Sequence, residues 1–273
     1  MKRVYLVSVS GGKDSTAAWA WMEEHYADKG EIVPYFADTG WEHELTYEYL
    51  DYLEDRFGKK IIRIKTEKYE GFEDMCIKRK MFPSRTKRIC TQELKTFPSR
   101  KFIKQYQAMG LKVVNVVGVR QEESEKRKGE QKWKTSFIFD PNKKNKKPYR
   151  RAKAEHVTVL QPIFDWTIHQ VYEYLKENNI KMNPLYFMGY SRVGCFPCIQ
   201  AKVAEVGMID DERTERISNL EKKVTEAAGA RRVFWQKDAE MHNPVSFAKQ
   251  NAKRKYNTLG LDLGCINHLG KCE

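Results

Sequence analysis

The stretch VSVSGGKDSTAAW, residues 7–19, decides how the chain begins to fold. The apolar run at 4–9 has the β-branched composition of a buried parallel strand and stops at two glycines. Good helix formers with helical spacing of large apolar residues follow over 15–26. The stretch therefore predicts a strand, a glycine turn and a helix, an arrangement whose backbone N–H groups and helix N-terminus can bind an anion.

The residues of this turn indicate that the anion is a phosphate. The two glycines permit positive φ and a close approach of the ligand. Lys13 supplies positive charge, and Ser15 can cap the helix or donate to a phosphate oxygen. The Walker A spacing is absent, because Val7 stands where its first glycine would be and Asp14 follows the lysine. We therefore expect a phosphate-binding turn of a different kind from the standard P-loop.

The rest of the first 180 residues alternates between strand and helix patterns. Further strands are predicted at 32–36, 61–64 and 113–117, and further helices at 45–57 and 167–177. This alternation predicts an α/β fold with a doubly wound, mostly parallel sheet. The SGGKDS, DTG and GVR turns all follow predicted strands, at the carboxyl ends where such sheets bind ligands.

Composition limits the classes of function. The 273 residues carry a net charge of +13, which suits a nucleic acid or nucleotide partner, or serves solubility alone. Apolar runs are too short for a membrane span or a signal peptide, so we expect a cytoplasmic protein without a membrane partner. Six cysteines are too few for a disulfide scaffold in a chain of this length, and in a reducing compartment they favour metal binding or chemistry.

Two regions differ from the α/β pattern. The excursion at 124–153 is rich in Lys and Arg, with Trp133, Phe137, Phe139 and Tyr149 interspersed. Such interleaving is typical of a single-stranded nucleic-acid groove, although a small satellite hairpin explains the aromatic residues equally well. From residue 201 the chain is predicted to be a helical, cysteine-bearing C-terminal part. The expected domains are therefore 1–200 and 201–273.

Several ordered segments resemble one family. SxGGKDS resembles the PP-loop of ATP pyrophosphatases and of the related PAPS reductases (3′-phosphoadenosine 5′-phosphosulfate reductases). The other matching segments are FADTGWEHELT at 36–46, KRICTQELKTFP at 87–98, GVRQEESEKR at 118–127 and NPLYFMGYSRVGCFPCI at 183–199. The resemblance implies an adenine nucleotide α-hydrolase-like fold. Within the family, these segments most resemble those of the ATP pyrophosphatases of DNA phosphorothioation.

The resemblance also implies a nucleotide site. In the ATP-using members the loop binds the pyrophosphate of ATP, and a substrate is adenylated as pyrophosphate leaves. The implied phosphate ligands here are Ser10, Gly11, Gly12, Lys13, Asp14 and Ser15, and Lys13 and Asp14 are also the implied catalytic residues. Asp38 and Thr39 would face the nucleotide, and Gly118, Arg120 and Arg127 would complete the pocket. Mg²⁺ is implied together with ATP, because it neutralises charge on phosphate oxygens.

The cysteines indicate a metal site. Cys195 and Cys198 form a CxxC pair, which alone is typical of half a zinc or iron–sulfur site, of a redox pair or of chance. Cluster-bearing sulfonucleotide reductases have adjacent cysteines where this chain has Cys90 and Thr91, so one ligand must come from elsewhere. We predict a [4Fe–4S] cluster, or alternatively Zn²⁺, held by Cys90, Cys195 and Cys198 with a fourth ligand from the tail, Cys272 or Cys265. Cys76 is expected to be an ordinary buried thiol.

Cys265 has a second possible role. Cys265, His268 and Gly270 resemble the C-terminal ECGxHxG of PAPS reductases, in which the cysteine attacks sulfur. The match is partial, because Gly264 and Ile266 replace the Glu and the first Gly. A nearby histidine can lower the pKa of a thiol and make it a nucleophile. Cys265 is thus a candidate catalytic residue as well as a candidate ligand.

Three functions follow from these patterns. The first is an ATP pyrophosphatase that activates a nucleic acid, DNA above all, for sulfur supplied by a cysteine desulfurase. The intact Lys13–Asp14 pair favours it, because sulfonucleotide reductases usually lack that pair. The second is a PAPS or APS (adenosine 5′-phosphosulfate) reductase that releases sulfite through Cys265. The third is a non-catalytic zinc protein that binds nucleic acid, which leaves the phosphate loop without a role.

Overall fold

A six-stranded sheet organises the chain. The computed structural model describes residues 3–84, 86–127, 129–139, 155–235 and 249. The strands are β1 (Arg3–Val9), β2 (Glu31–Ala37), β3 (Ile62–Ile64), β4 (Lys112–Val117), β5 (Trp133–Phe139) and β6 (Glu155–Leu160). They lie in the order β3-β2-β1-β4-β6-β5, and β5 alone among these six runs antiparallel to its neighbour. The predicted doubly wound, mostly parallel sheet is confirmed.

The strand order fixes where a ligand can bind. The chain runs from β1 outward to β3 and then returns to the other side of β1 as β4. The carboxyl ends of β1 and β4 are therefore adjacent, and the turns that follow these two strands lead in opposite directions. Such a position is the topological switch point, where sheets of this kind bind ligands. β1 itself is central, and its residues 4–7 are fully buried. The phosphate loop thus begins on one of the most buried strands of the molecule.

The helices begin and end close to their predicted positions where a prediction was made. They are α1 (Lys13–Tyr26), α2 (Glu44–Phe57), α3 (Phe72–Arg79), α4 (Phe97–Ala108), α5 (Ile168–Glu177), α6 (Val203–Gly207) and α7 (Asp211–Ala228). A π-helical turn, Thr91–Thr96, leads into α4. None of the described helices is long and apolar enough to cross a membrane. Within 201–235 the chain is helical over α6 and α7, as expected for the C-terminal part.

The chain divides into two compact units that alternate along the sequence. The first unit comprises residues 1–37, 48–64 and 98–183, and the second comprises 38–47, 65–97 and 184–273. The first contains the sheet, with Val4, Leu6, Val113 and Phe102 in one apolar core. The second has its own core around Trp41, Phe72, Ile217 and Phe234. Eight further buried side chains, Cys76 among them, pack in the same core. The boundary expected at residue 200 stays a prediction.

The basic excursion begins with an ordered hairpin. β5 and β6 pair antiparallel, from Trp133 opposite Leu160 to Phe139 opposite Glu155, with an irregularity between Phe137 and Phe139. The aromatic residues at 133, 137 and 139 therefore belong to an edge strand of the main sheet, not to a separate satellite. Residues 140–154, including Tyr149, lie outside the described residues. The nucleic-acid interpretation of this stretch stays a prediction.

Candidate functional site

The phosphate loop is organised by two serines. The hydroxyl of Ser15 donates to the carbonyl of Gly12 over 2.9 Å, and the backbone N–H of Ser10 donates to Ser15 Oγ over 3.0 Å. The two hydroxyl oxygens lie 3.0 Å apart, so Ser10 can donate to Ser15. Thr16 donates to the same Gly12 carbonyl over 3.1 Å. These bonds close the turn, and because Gly12 has no side chain, no side chain caps α1 from the N-cap position.

Two glycines are required by geometry. Gly11 has φ +73°, a left-handed conformation that favours glycine. Gly118, directly after β4, lies against the first turn of α1. A Cβ at Gly118 would lie 2.4 Å from the carbonyl oxygen of Asp14 and 2.6 Å from Cα of Ser15. Gly118 therefore brings the turn after β4 into close backbone contact with the first turn of α1. Its predicted place in the nucleotide pocket stays a prediction.

A buried charge cluster lies beside the loop. Nε of Arg120 donates to Oδ1 of Asp14 over 2.6 Å, and Nζ of Lys13 lies 3.4 Å from Oδ2 of the same carboxylate. Arg120 is 4% exposed and Lys13 is 6% exposed. Burial lowers the pKa of Arg120, but Asp14, Glu123 and Glu122 together raise it above its ordinary value, so the guanidinium stays charged. Arg120 also pairs with Glu122 on the more exposed side.

Supporting residues hold the cluster in place. Arg127 donates to the backbone carbonyl of Arg120 over 3.4 Å and pairs with Glu123. Nδ2 of Asn183, a 99% buried side chain, donates to the carbonyl of Gly11 over 3.2 Å. Nζ of Lys13 lies 6.0 Å from the ring centroid of Tyr172. Asn183 and Tyr172 were not among the predicted site residues, although Asn183 is the first residue of the NPLYF segment.

The DTG turn belongs to the second unit. Asp38 accepts from the N–H of Gly40 over 2.9 Å and from the hydroxyl of Tyr47 over 2.8 Å, and Nζ of Lys65 lies 3.0 Å from its other oxygen. Burial raises the pKa of this carboxyl, but the three donors together lower it below its ordinary value. Thr39 accepts from the N–H of Phe72 through its carbonyl over 2.8 Å. Both predicted nucleotide-facing residues are thus fixed in position.

Glu42 is a buried carboxylate that sequence reasoning missed. Glu42 is 2% exposed. It accepts from the hydroxyl and the N–H of Thr39, over 2.8 and 3.2 Å, and from the N–H of Trp41 over 3.3 Å. Nζ of Lys95 lies 3.9 Å away, and Sγ of Cys195 donates to it over 3.8 Å. Glu42 therefore connects the DTG turn to the CxxC segment inside the second unit.

Three of the predicted metal ligands line one cavity of about 260 Å³ in the second unit. Cys90, Cys195 and Cys198 all contribute to its wall, together with Lys95 and Arg88. Burial raises the pKa of the Cys195 thiol to about 11, although Lys95 opposes this. Burial also raises the pKa of Cys90, and the neighbouring Cys198 adds to the effect. The free thiols of Cys195 and Cys90 are thus largely protonated near neutral pH.

The donor set of this cavity consists of thiols. Thiolates are soft ligands that suit both iron–sulfur clusters and Zn²⁺, and all three cysteines line the same cavity. Among the described residues, no three His, Cys, Asp or Glu side chains are grouped closely enough to hold one metal ion. The cluster, with Zn²⁺ as its alternative, therefore stays a prediction. Cys265 and Cys272, the predicted sources of the fourth ligand, lie outside the described residues.

Cys76 behaves as an ordinary core residue. It is fully buried and packs in the apolar core of the second unit. Burial raises the pKa of its thiol far above the ordinary value. The expectation that Cys76 is a buried thiol is confirmed.

Comparison with known proteins places this arrangement in a family. A 37.8 kDa protein of Escherichia phage 186 is 32% identical over 262 residues, which cover 80% of this chain and 73% of the phage protein. Adenosine 5′-phosphosulfate reductase of Bacillus pumilus is 27% identical over 165 residues, which cover 60% of this chain and 61% of the reductase. Two relatives in Methanocaldococcus jannaschii are longer, and the matches cover 39% and 42% of their length. The chain thus spans less than two thirds of several relatives.

Structural comparison supports the same fold. The crystal structure of phosphoadenylyl-sulfate reductase from Candida auris matches with a TM-score of 0.50 at 15% identity, covering 72% of this chain and 83% of the reductase. At this identity the match shows the fold, and it confirms the adenine nucleotide α-hydrolase-like architecture. The family model of the phosphoadenosine phosphosulfate reductase domain matches residues 4–201. The chain therefore belongs to the phosphoadenosine phosphosulfate reductase domain family.

Proposed function

We propose that the protein is an ATP pyrophosphatase that adenylates a nucleic acid, as the activating step of sulfur transfer such as DNA phosphorothioation or RNA thiolation. The observation that carries this proposal is the charge arrangement of the phosphate loop. Lys13 and Arg120, both buried, converge on the loop carboxylate of Asp14, and Arg120 also pairs with Glu122 on its more exposed side. Buried cations are costly unless anions compensate them, and a polyphosphate supplies more negative charge than one carboxylate.

ATP fits this loop through several groups. The backbone N–H groups of the glycine turn and the positive end of α1 favour the β- and γ-phosphates. Lys13 adds a charge-assisted hydrogen bond, and the hydroxyls of Ser10 and Ser15 are within the same turn. Mg²⁺ that accompanies ATP would neutralise developing charge on the phosphate oxygens, and Asp14 is the loop carboxylate that suits it. An acceptor oxygen then attacks the α-phosphorus, and pyrophosphate leaves.

The cysteine cavity suits the sulfur side of the reaction. Cys90, Cys195 and Cys198 would hold a [4Fe–4S] cluster with a ligand from the tail, Cys265 or Cys272. Bound there, the cluster would supply a site of soft iron ligation for sulfur. The partner that delivers sulfur would be a cysteine desulfurase. The net charge of +13 supports a polyanionic acceptor.

A sulfonucleotide reductase is the second candidate, and the likeness to adenosine 5′-phosphosulfate reductase of Bacillus pumilus favours it. In that case Cys265 would attack the sulfur of APS or PAPS. The sequence that surrounds Cys265 matches the corresponding reductase motif only in part. A sulfonucleotide carries no β,γ-pyrophosphate, so the reductase reaction gives the Lys13–Asp14 pair no pyrophosphate to bind.

Reconstitution of sulfur transfer separates the two candidates. The anaerobically purified protein is mixed with ATP, Mg²⁺, a cysteine desulfurase, cysteine, an oligonucleotide and dithiothreitol, which supplies the two electrons that release sulfur from the desulfurase persulfide, and the oligonucleotide is analysed by mass spectrometry. We expect ATP-dependent replacement of one oxygen by sulfur. A parallel reaction with APS or PAPS and reduced thioredoxin is assayed for sulfite. Sulfite formation without ATP-dependent sulfur incorporation would overturn the proposal in favour of the reductase.

A further inference from the structure

A second cavity, of about 370 Å³, lies in the first unit away from the phosphate loop. Its wall includes Arg3, Lys112, Trp133 and His156, with parts of β4, β6 and the end of α4. The residues that line it include no aspartate or glutamate. It is therefore a cavity whose charged side chains are all basic.

The strand register places two of these cations together. Arg3 and Lys112 are the first residues of β1 and β4, and they are paired across the parallel ladder. Both are exposed. Within the described part of the chain, Lys112 lies within ion-pair distance of no carboxylate. Two adjacent exposed cations at the start of neighbouring strands suit phosphate groups.

The same cavity presents an aromatic ring. Trp133 is 41% exposed, whereas the other tryptophans in the described part of the chain are buried or half-buried. Lys132, its neighbour, places Nζ 4.9 Å from the ring of Trp21 on α1, and Trp21 stacks on His25 with centroids 4.4 Å apart. Aromatic rings next to cations are the pattern on which single-stranded bases stack while their phosphates are neutralised.

The neighbouring sequence continues the charge. The fifteen residues 140–154, which connect β5 to β6, contain seven Lys or Arg and one Asp. They join the hairpin next to Glu155, one residue from His156 in the cavity wall. The sequence between the two strands is therefore strongly basic, in keeping with a polyanionic partner.

The cavity is separate from the nucleotide loop. Arg3 lies at the amino end of β1, and the loop begins at its carboxyl end after Val9. Seven residues of strand span about 20 Å. Stacked nucleotides are spaced about 3.4 Å apart, so a single nucleic-acid strand that reaches from the cavity to the phosphate loop needs about six nucleotides. The cavity thus suits an elongated polymer better than a second small nucleotide.

We propose that this cavity binds a single-stranded polynucleotide, with a base stacked on Trp133 and phosphates on Arg3 and Lys112. The proposal rests on the proposed function in that the polynucleotide is the sulfur acceptor. It adds that the acceptor is held as a single strand, because a base can stack on Trp133 only when it is not paired inside a duplex.

The test is fluorescence anisotropy without ATP, using a labelled single-stranded 12-mer as DNA and as RNA, and the matching duplex. We expect both single strands to bind more tightly than the duplex. Trp133→Ala should weaken single-strand binding by about 5- to 100-fold, and Trp133→Phe should retain most of it. Arg3→Gln with Lys112→Gln should flatten the salt slope by about 1.4. Matched controls are Phe187→Ala, which removes another exposed ring, and Lys222→Gln with Lys223→Gln, exposed on α7.

The outcomes separate this proposal from the proposed function. If Trp133→Ala binds single strands as tightly as the parent, or if duplex binds as well as single strands, the cavity is not the binding site. ATP binding by the Trp133 variants, measured by calorimetry, should match the parent, because β5, which carries Trp133, is separated from β1 by β4 and β6 in the sheet. A protein that binds single strands through Trp133 but releases no pyrophosphate from ATP supports the cavity and refutes the proposed reaction.

Discussion

The carboxylate of Asp14 accepts a 2.6 Å hydrogen bond from Nε of Arg120, a residue 106 positions later in the chain. This contact joins the turn after β1 to the turn after β4, at the point where the strand order reverses. The same carboxylate lies 3.4 Å from Nζ of Lys13. The anion-binding charges of the loop are therefore positioned by the sheet and by one shared carboxylate.

Lys13→Ala should reduce ATP affinity by about 10- to 100-fold, because one charge-assisted hydrogen bond to phosphate is lost. Calorimetry with ATP measures the change. Ser15→Ala should also weaken binding, because it removes the bonds that close the turn at Gly12 and Ser10. Lys176→Ala, which removes an exposed lysine of α5, is the control and should bind ATP as the parent does. Parental affinity in both loop variants would refute the phosphate assignment.

Gly118→Ala should damage the loop although no ligand group is removed. The new Cβ would lie 2.4 Å from the Asp14 carbonyl, so the first turn of α1 must move. Overpacking of this kind costs about 1–3 kcal/mol, and we expect a lower denaturation midpoint together with weaker ATP binding. Gly194→Ala is the matched control, because a Cβ there meets nothing within 4 Å. Equal midpoints and ATP affinities in the two variants would contradict the close approach.

Asp38→Asn tests the charge of the DTG turn through pH. The hydrogen bonds and Lys65 lower the pKa of this carboxyl in the folded protein, against burial. Its stabilising effect is then complete above the unfolded pKa, near 3.9, and is lost as pH falls through the lower folded pKa. The stability difference between parent and Asp38→Asn should be constant near neutral pH and shrink below about pH 4.

Urea unfolding between pH 7 and pH 3 measures this difference. Asp165→Asn removes an exposed carboxylate and controls for the change in net charge. A difference that grows as the pH falls would show that the sign of the Asp38 pKa shift is wrong.

Cys90→Ser, Cys195→Ser and Cys198→Ser should each reduce iron content and the brown colour of anaerobically purified protein. Each variant removes one thiol from the same cavity wall. Cys76→Ala should keep its iron, because Cys76 lies in the apolar core. Colourless parent protein with one zinc would refute the cluster and keep the ligand set. Iron content unchanged by all three serine variants would refute the ligand set itself.

Cys265→Ser distinguishes the two roles of the tail cysteine. As the fourth ligand, its loss lowers iron content and bleaches the colour, which is the outcome we expect. As the nucleophile of a reductase, its loss leaves iron unchanged and abolishes sulfite release from APS or PAPS. The second result would favour the reductase over the ATP pyrophosphatase.

The sheet could be predicted from the sequence because each central strand is a short apolar run that can be identified from its own residues. The β-branched runs that become β1 and β4 are short, apolar and followed by glycine-containing turns. β5 and β6 were missed for a physical reason. β6 alternates exposed and buried residues over 156–159, but β5 has no buried residue over 133–136, and the charged composition of the preceding stretch obscured both strands. α4 was missed because Pro98 stands in its first turn, a position where a helix tolerates proline.

The residues of the candidate site could be proposed from the sequence, but the contacts between them could not. The loop residues and the three cavity cysteines follow from motifs, and the structure describes them in two separate units. Glu42 could not be found, because its importance comes from contact with Cys195, 153 positions later. Asn183 likewise acts on Gly11 across 172 positions. Such long-range pairs leave no periodic signal in one sequence.

The most direct test of the central claim is the identity of the products formed from ATP. The protein is incubated anaerobically with Mg²⁺, a single-stranded oligonucleotide and ATP labelled at its α- and γ-phosphates, and AMP-containing products, ADP, pyrophosphate and phosphate are separated and counted. We predict pyrophosphate and AMP-containing products in equal amounts, with neither formed by Lys13→Ala. ADP with phosphate, or no turnover of ATP together with sulfite release from PAPS, would contradict the account.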